Sequence, residues 1–339
     1  MTGEHETVRD LLAAWAFGAL DPADGGTVPA HLAECGNCAA EAERLREMVR
    51  LLDGPAPPGI PERPATDVLS FALRERPAAP RVTAHAAPYA AAVAGLKALL
   101  PEVYGRWGYD RWSVPVVHDW NVHATLAHLL AADEHLAVLL GIEAQVPPSR
   151  IEDGTGWEAA WNRRTADVIV HERRRSPEKT VAAWSAQANS LLASPEAHDP
   201  ELAARAVTLT GLRLPIADHF LARAFETWIH TDDIGRALGL AVPPPPQEHL
   251  AQLVRLAVRI LGLALGPTAP PVLFSVTGGE QWVLGSADEP VRAELTLDPV
   301  DFCLLVGGRY APQTVPRAET GDAAAVRNVL ERAASLSWL

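Results

Sequence analysis

Four residues near the start of the chain have the types and the spacing of a closed metal site. His31, Cys35 and Cys38 form H-x3-C-x2-C, and His5 stands 26 positions before His31. Two imidazoles with two thiolates are the donor set of a tetrahedral structural zinc. On one continuous helix, steps of four and three positions put His31, Cys35 and Cys38 on a common face. A segment of about 50 residues has little core of its own, and a structural metal supplies what it lacks. The alternative is two small buried thiols and two surface histidines. Oxidation of Cys35 and Cys38 would eject the metal and unfold the segment, so a redox switch and a purely structural zinc both stay open.

A second constellation sits much later. His128 lies in NVHATLAHLLAADEHL, and Glu226 and His230 are four apart in PIADHFLARAFETWIHTDDIGRALG. Such a pair on one helix face, with a histidine from a facing helix, makes two imidazoles and a carboxylate with open coordination positions, the style of a catalytic site. The same periodicity makes His219, Arg223, Glu226, His230 and Asp233 a continuous polar stripe that could equally face water. His123 and His135 flank His128 with no role assigned. Cys303, inside DFCLLV, reads as a buried small residue rather than a nucleophile.

These residues need elements to hold them. Apolar spacing predicts a helix over 5–19 and a second helix through HLAECGNCAAEAERLREMVRLL. From Gly54 to Arg81 repeated prolines mark a linker, inside which residues 66–76, TDVLSFALRER, form one short helix with an uncovered apolar face. Helical patterns over 85–103, 121–140, 157–175, 177–193 and 215–239 predict a bundle. Past PPPP at 243–246 come a helix at 247–264, strands in PVLFSV, EQWVLG and VRAELTL, and helical stretches at 299–307 and 321–335, an α+β pattern. The expected fold is mainly α, divided into a module at 1–53, a linker at 54–84, a bundle at 85–242 and an α+β domain at 243–339.

Composition narrows the function. The 339 residues suit two or three domains rather than one core. With 29 basic and 42 acidic residues the net charge is −13, which argues against nucleic acid or an anionic membrane as partner and leaves room for a basic protein. Three cysteines do not make a secreted disulfide framework, and neither a signal peptide nor a long uncharged apolar run is found, so a cytoplasmic location is expected. Lysine occurs only at Lys97 and Lys179 among the basic residues, the usage of a GC-rich coding sequence such as an actinobacterial one.

Residues 1–76 resemble the zinc-binding anti-sigma domain, whose signature is a histidine followed at a distance by H-x3-C-x2-C. That resemblance implies zinc on His5, His31, Cys35 and Cys38, residues 66–76 as the helix that completes a clamp, and an extracytoplasmic-function sigma factor as the partner. An acidic chain has the right sign to cover the basic DNA-contacting surface of a sigma factor. Many members continue into a membrane span; this chain does not, which implies the soluble type with a sensor domain attached.

Farther on, W-x-V-P from Trp112, DWNVHATLAHLLAADEHL and FETWIHTDDIGRALG resemble the DinB-like bundle of the mycothiol-dependent maleylpyruvate isomerase family. LDPVDFCLLVGGRYAP and ETGDAAAVRNVLERAASL are similar to its small sterol-carrier-like domain. The resemblance implies a divalent metal, zinc or a similar ion, on His128, Glu226 and His230, with mycothiol held there as a thiolate. It also implies that Arg309, beside Gly308, reaches the cleft to hold a substrate carboxylate; an ordinary surface arginine is the alternative. Two functions compete. One is an anti-sigma factor whose C-terminal part senses redox state, a low-molecular-weight thiol or an electrophile. The other is a mycothiol-dependent isomerase or thiol transferase with an accessory zinc module.

Overall fold

The computed structural model describes residues 2–21, 24–53, 81–104, 110–152 and 154–336. The chain separates into two compact units, Met1–Pro77 and Ala78–Leu339. The helix expected at 66–76 lies outside the described residues.

The first unit contains α1 (Thr2–Ala16), α2 (Thr27–Glu34) and α3 (Gly36–Asp53). Its apolar core is small: Val8, Leu12, Val28, Cys38 and Ala42, with Leu11, Trp15 and Leu45 packed against them. The single helix expected through H-x3-C-x2-C is in fact two. Cys35 has φ −117° and ψ 99°, an extended residue between α2 and α3. Its N–H donates to His31 O at 2.9 Å and its carbonyl accepts from Ala39 N at 3.0 Å, so one residue ends the first helix and starts the next. Gly36, a poor helix-interior residue, makes the interruption cheap.

In the second unit the bundle is built from α4 (Ala87–Tyr104), α5 (Val122–Leu139), α6 (Trp157–Glu172), α7 (Pro177–Ala193) and α10 (Ile216–Leu238). Short helices α8 (Pro195–His198) and α9 (Pro200–Ala203) connect α7 to a hairpin of β3 (Ala206–Leu209) and β4 (Leu212–Pro215). A smaller hairpin, β1 (Pro115–Val117) with β2 (Trp120–Asn121), leads into α5, whose first turn is capped by Asn121 Oδ1 accepting from Ala124 N at 2.9 Å. Helix α5 is buried almost all round, the mark of a central helix. Helix α10 ends at Gly239, φ 68°, where Leu240 N donates back to Gly235 O at 2.8 Å.

Buried polar pairs fix the helices in rotation. Arg164 on α6 forks onto Glu134 on α5 at 2.7 and 2.6 Å, and Glu172 accepts from Thr180 Oγ1 and Arg175 Nη1, each at 2.7 Å. Tyr89 on α4 donates to the fully buried Asp133 at 2.6 Å. Burial pushes this carboxyl from its ordinary 3.8 up to about 7, although Arg223 and Tyr89 pull the other way. A group with a raised folded-state pKa stabilises below the unfolded pKa and loses that contribution as pH rises through the folded one. Between pH 4 and 7, unfolding free energy should therefore fall by roughly 3 kcal/mol on account of Asp133. Urea melts at pH 5 and 8 check this: Asp133→Asn should flatten the fall, and an unchanged pH slope would refute it.

After α11 (Gln247–Leu265) the chain forms a sheet in the order β6-β5-β7-β8, from β5 (Val272–Val276), β6 (Gln281–Leu284), β7 (Ala293–Leu297) and β8 (Arg317–Gly321). β5 and β7 run parallel, and the other pairs are antiparallel. Alternate residues Val272, Phe274, Val276, Leu295 and Leu297 are buried, beneath α11, α12 (Pro299–Val306) and α13 (Ala323–Ala334). One contiguous apolar core joins this layer to the bundle. Among the described residues no helix is long and apolar enough to cross a membrane.

Candidate metal centres

In the first unit α1 brings His5, α2 brings His31, the junction brings Cys35, and the first turn of α3 brings Cys38. His5 Nδ1 is 3.3 Å from His31 Nε2 and 3.6 Å from each of Cys35 Sγ and Cys38 Sγ. Zinc bonds of about 2.05 Å to nitrogen and about 2.3 Å to sulfur, at the tetrahedral angle, put donors about 3.3 Å (N to N) and about 3.6 Å (N to S) apart. These three separations match the edges that meet at one corner of a zinc tetrahedron, and all four donor atoms lie within 4.8 Å of one another. The N–H groups of Cys38 and Asn37, at the start of α3, point at the Cys35 sulfur and hold its thiol pKa below the usual value. The break at Cys35 is thus what allows four donors from three helices to surround one point. The residues fit the metal that their types suggest.

In the second unit His128 on α5 meets Glu226 and His230 on α10. His128 Nε2 lies 2.7 Å from Glu226 Oε1, and His230 Nε2 lies 3.6 Å from the same oxygen. The shorter contact is a hydrogen bond, tighter than the roughly 3.3 Å between N and O donors on one zinc ion; a metal would part the two side chains slightly. Burial lowers His128 to about 4, so its ring is neutral and has a lone pair to give. For Glu226, burial opposes the charge, but His128 and His230 outweigh it and hold the carboxyl well below its ordinary range. His230 likewise stays above its usual value against burial, because Asp233 and Glu226 both bond it.

Behind these three stands a second layer. Asp233 Oδ2 is 3.0 Å from His230 Nδ1, which leaves Nε2 free for the centre, the arrangement that orients metal-binding imidazoles. Arg309 grips Asp233 in turn, with Nε 3.0 Å from Oδ1 and Nη2 on Oδ2, and donates to Gly307 O. The residue does line the cleft, but its guanidinium is engaged by Asp233. In the stripe His219, Arg223, Glu226, His230 and Asp233 all are buried except the half-buried Glu226, so it packs into the bundle and meets solvent only through the cleft. Cys303 is fully buried, and burial drives its thiol far up, as a structural residue requires.

The cluster opens into a cavity of about 280 Å³ walled by Trp120, Trp157 and Trp161, with His118, Asn162 and Arg309 at its sides. Trp120 stacks on His128 at 4.5 Å between centroids. His118 has φ 54°, a left-handed conformation uncommon outside glycine, in the turn between β1 and β2. Sequence reading missed these walls. Trp157 and Trp161 stand one helical turn apart in GWEAAWNRR, and that spacing alone reads as ordinary helix packing.

Comparison with known proteins bears on both centres. Residues 6–39 match the family described as "Putative zinc-finger", and residues 110–235 match the mycothiol maleylpyruvate isomerase N-terminal domain. The chain therefore carries a zinc-finger module of the first kind and a domain of the second. Uncharacterized proteins from two strains of Mycobacterium tuberculosis are 27% identical over 231 residues, covering 63% of this chain and 82% of theirs. Crystal structures of the mycothiol-dependent maleylpyruvate isomerase, including one of a histidine-to-alanine mutant, align over 70% of this chain and 93% of theirs, with 12% identity and a TM-score of 0.49.

Proposed function

We propose that the protein is a zinc-binding anti-sigma factor that sequesters an extracytoplasmic-function sigma factor in the cytoplasm, with its isomerase-like part as a sensor of redox state or of a small thiol or electrophile. The observation that carries this reading is the convergence of His5, His31, Cys35 and Cys38, with the His5 separations of a zinc site, in a helical module with a very small apolar core. Under it, residues 1–53 are the zinc module, 54–84 a linker whose segment 66–76 contacts the sigma factor, 85–242 the bundle and 243–339 the α+β domain. An acidic chain supports a basic protein partner and no direct contact with nucleic acid. Affinity capture from the source organism, with mass spectrometry of the bound proteins, tests it: wild type and His230→Ala should retain a sigma factor, and Cys35→Ala should lose it. Recovery of no sigma factor by the wild-type chain would end this reading.

The second reading is a mycothiol-dependent metalloenzyme, favoured by a neutral His128, the Glu226–His230 pair and an open cavity beside them. There His128, Glu226 and His230 hold a divalent metal, which supplies Lewis acidity that keeps a thiol ionised. Asp233 fixes the His230 tautomer, and the tryptophans keep bulk water from the cleft. Arg309 is the candidate for a substrate carboxylate, which it reaches only by giving up part of its grip on Asp233. The metal-loaded protein should consume maleylpyruvate or a general electrophile in the presence of mycothiol; no thiol-dependent loss would count against it. Both readings share one expectation. Asp233→Asn should weaken zinc at this centre by about 10–100-fold, measured by competition with a chelating dye.

A further inference from the structure

Three tryptophans wall the cleft beside His128, Glu226 and His230: Trp120 from β2, and Trp157 and Trp161 from successive turns of α6. Phe225 and Ile229 of α10, both buried, close its apolar side. Each indole is held by a neighbour of its own. Trp120 stacks on His128. Trp161 stacks on His135 at 4.9 Å between centroids, with the Arg223 guanidinium 5.8 Å from its ring. Trp157 lies so close to the β3–β4 turn that a Cβ on Gly211 would come within 2.5 Å of its Nε1. Rings fixed before a ligand arrives lose little freedom when it binds.

Charge narrows the class of ligand further. Among the described residues that line the cleft, Arg309 is the single arginine or lysine, and its guanidinium is spent: Nε and Nη2 donate to Asp233 and Nη1 to Gly307 O. Glu226 and the exposed Glu158 line the same cleft and add negative charge. A divalent ion at the centre would have its two charges balanced by Glu226 and an ionised thiol, which leaves no spare cation. An anion entering here would give up its hydration with no counter-charge in return. An uncharged ring gives up little and gains contact with the indoles.

We propose that the molecule this cleft takes is uncharged, planar and aromatic, rather than an acid such as maleylpyruvate. The inference rests on the reading of this cleft as the place where an electrophile is met, and it narrows which electrophile that is.

Three probes of nearly equal size test it: methyl phenyl sulfone, methyl cyclohexyl sulfone and benzenesulfonate. The first two differ in aromaticity, the first and third in charge, and sulfone and sulfonate oxygens are both weak metal ligands. Titrated into the full-length zinc-loaded protein, methyl phenyl sulfone should saturate and shift the indole N–H resonances of Trp120, Trp157 and Trp161. Methyl cyclohexyl sulfone should bind about fivefold more weakly, the equivalent of about 1 kcal/mol. Benzenesulfonate should bind at least about tenfold more weakly than the neutral aromatic probe. Trp157→Leu and, separately, Trp161→Leu should weaken methyl phenyl sulfone about fivefold, with helical circular dichroism unchanged in at least one of them. Glu158→Lys, at an exposed position of α6, should leave methyl phenyl sulfone as it was and strengthen benzenesulfonate by at least about fivefold. The proposal is overturned if methyl phenyl sulfone does not saturate, if the saturated or the anionic probe binds as tightly as it does, or if the shifts fall on other tryptophans. Sigma-factor capture and thiol-dependent turnover are measured separately, so failure of either functional reading is told apart from failure of this one.

Discussion

Cys38→Ser, or removal of zinc by a strong chelator, is expected to unfold residues 2–53 while residues 81–336 stay folded. Among its described residues the first unit buries five apolar ones, one of them Cys38 itself, and that is too little to offset the ordering of three helices. Structural zinc in small modules contributes about 10–16 kcal/mol of folding free energy. Hydrogen exchange read by mass spectrometry resolves the two units in one experiment on the intact chain. Amides of α1 and α3 should lose protection by at least about 1000-fold, some 4 kcal/mol, and those of α5 and α10 should keep theirs. Persistence of protected α1 and α3 without zinc would mean that packing, not metal, holds the module. Cys303→Ser serves as the control, because that thiol sits in the other unit's core.

The second large effect is expected in the bundle. His230→Ala should lower the zinc content of the purified protein from two per chain to one, with affinity at the bundle centre falling at least about 100-fold, beyond what loss of an outer-layer group costs. Glu226→Gln keeps the shape but removes the charge that balances the ion, and should act the same way. Elemental analysis after dialysis against a weak chelator reads both. Should the wild-type protein hold one zinc, or His230→Ala still hold two, the three side chains are a hydrogen-bonded His–Glu–His cluster and nothing more. His128 and Glu226, 2.7 Å apart, already form one link of such a cluster.

Much of the helical layout was legible because it follows from periodicity. The spans predicted at 177–193 and 247–264 agree with α7 and α11 to within one residue. Strands β5, β6 and β7 were visible as short apolar runs. Strand β8 was not, because RAETG is exposed throughout and pairs as an edge, so no alternation marks it. The hairpin β3–β4 turns on Thr210 and Gly211, both with positive φ, and Thr-Gly is a weaker signal than Asn-Gly for that turn. Both clusters of candidate ligands could be picked out from residue type and spacing, since His, Cys and Glu at helical intervals are chemically conspicuous. Their environments could not: whether the stripe from His219 to Asp233 met water or core depended on which helices closed over it. The break at Cys35 was hidden for a related reason. Local spacing permits one helix, and Gly36 is the sole local sign of a break.

Arg309 comes from the turn after α12, in the layer built on the sheet, and it ends on a carboxylate that belongs to the bundle. Asp233, so held, sets the imidazole of His230. The sheet layer and the His128–Glu226–His230 cluster are therefore mechanically in series. A displacement of the 307–309 turn that breaks the Arg309–Asp233 pair would loosen His230 while leaving His128 and Glu226 in place. Anything that leans on the sheet has a handle on the chemistry of a cleft it never enters.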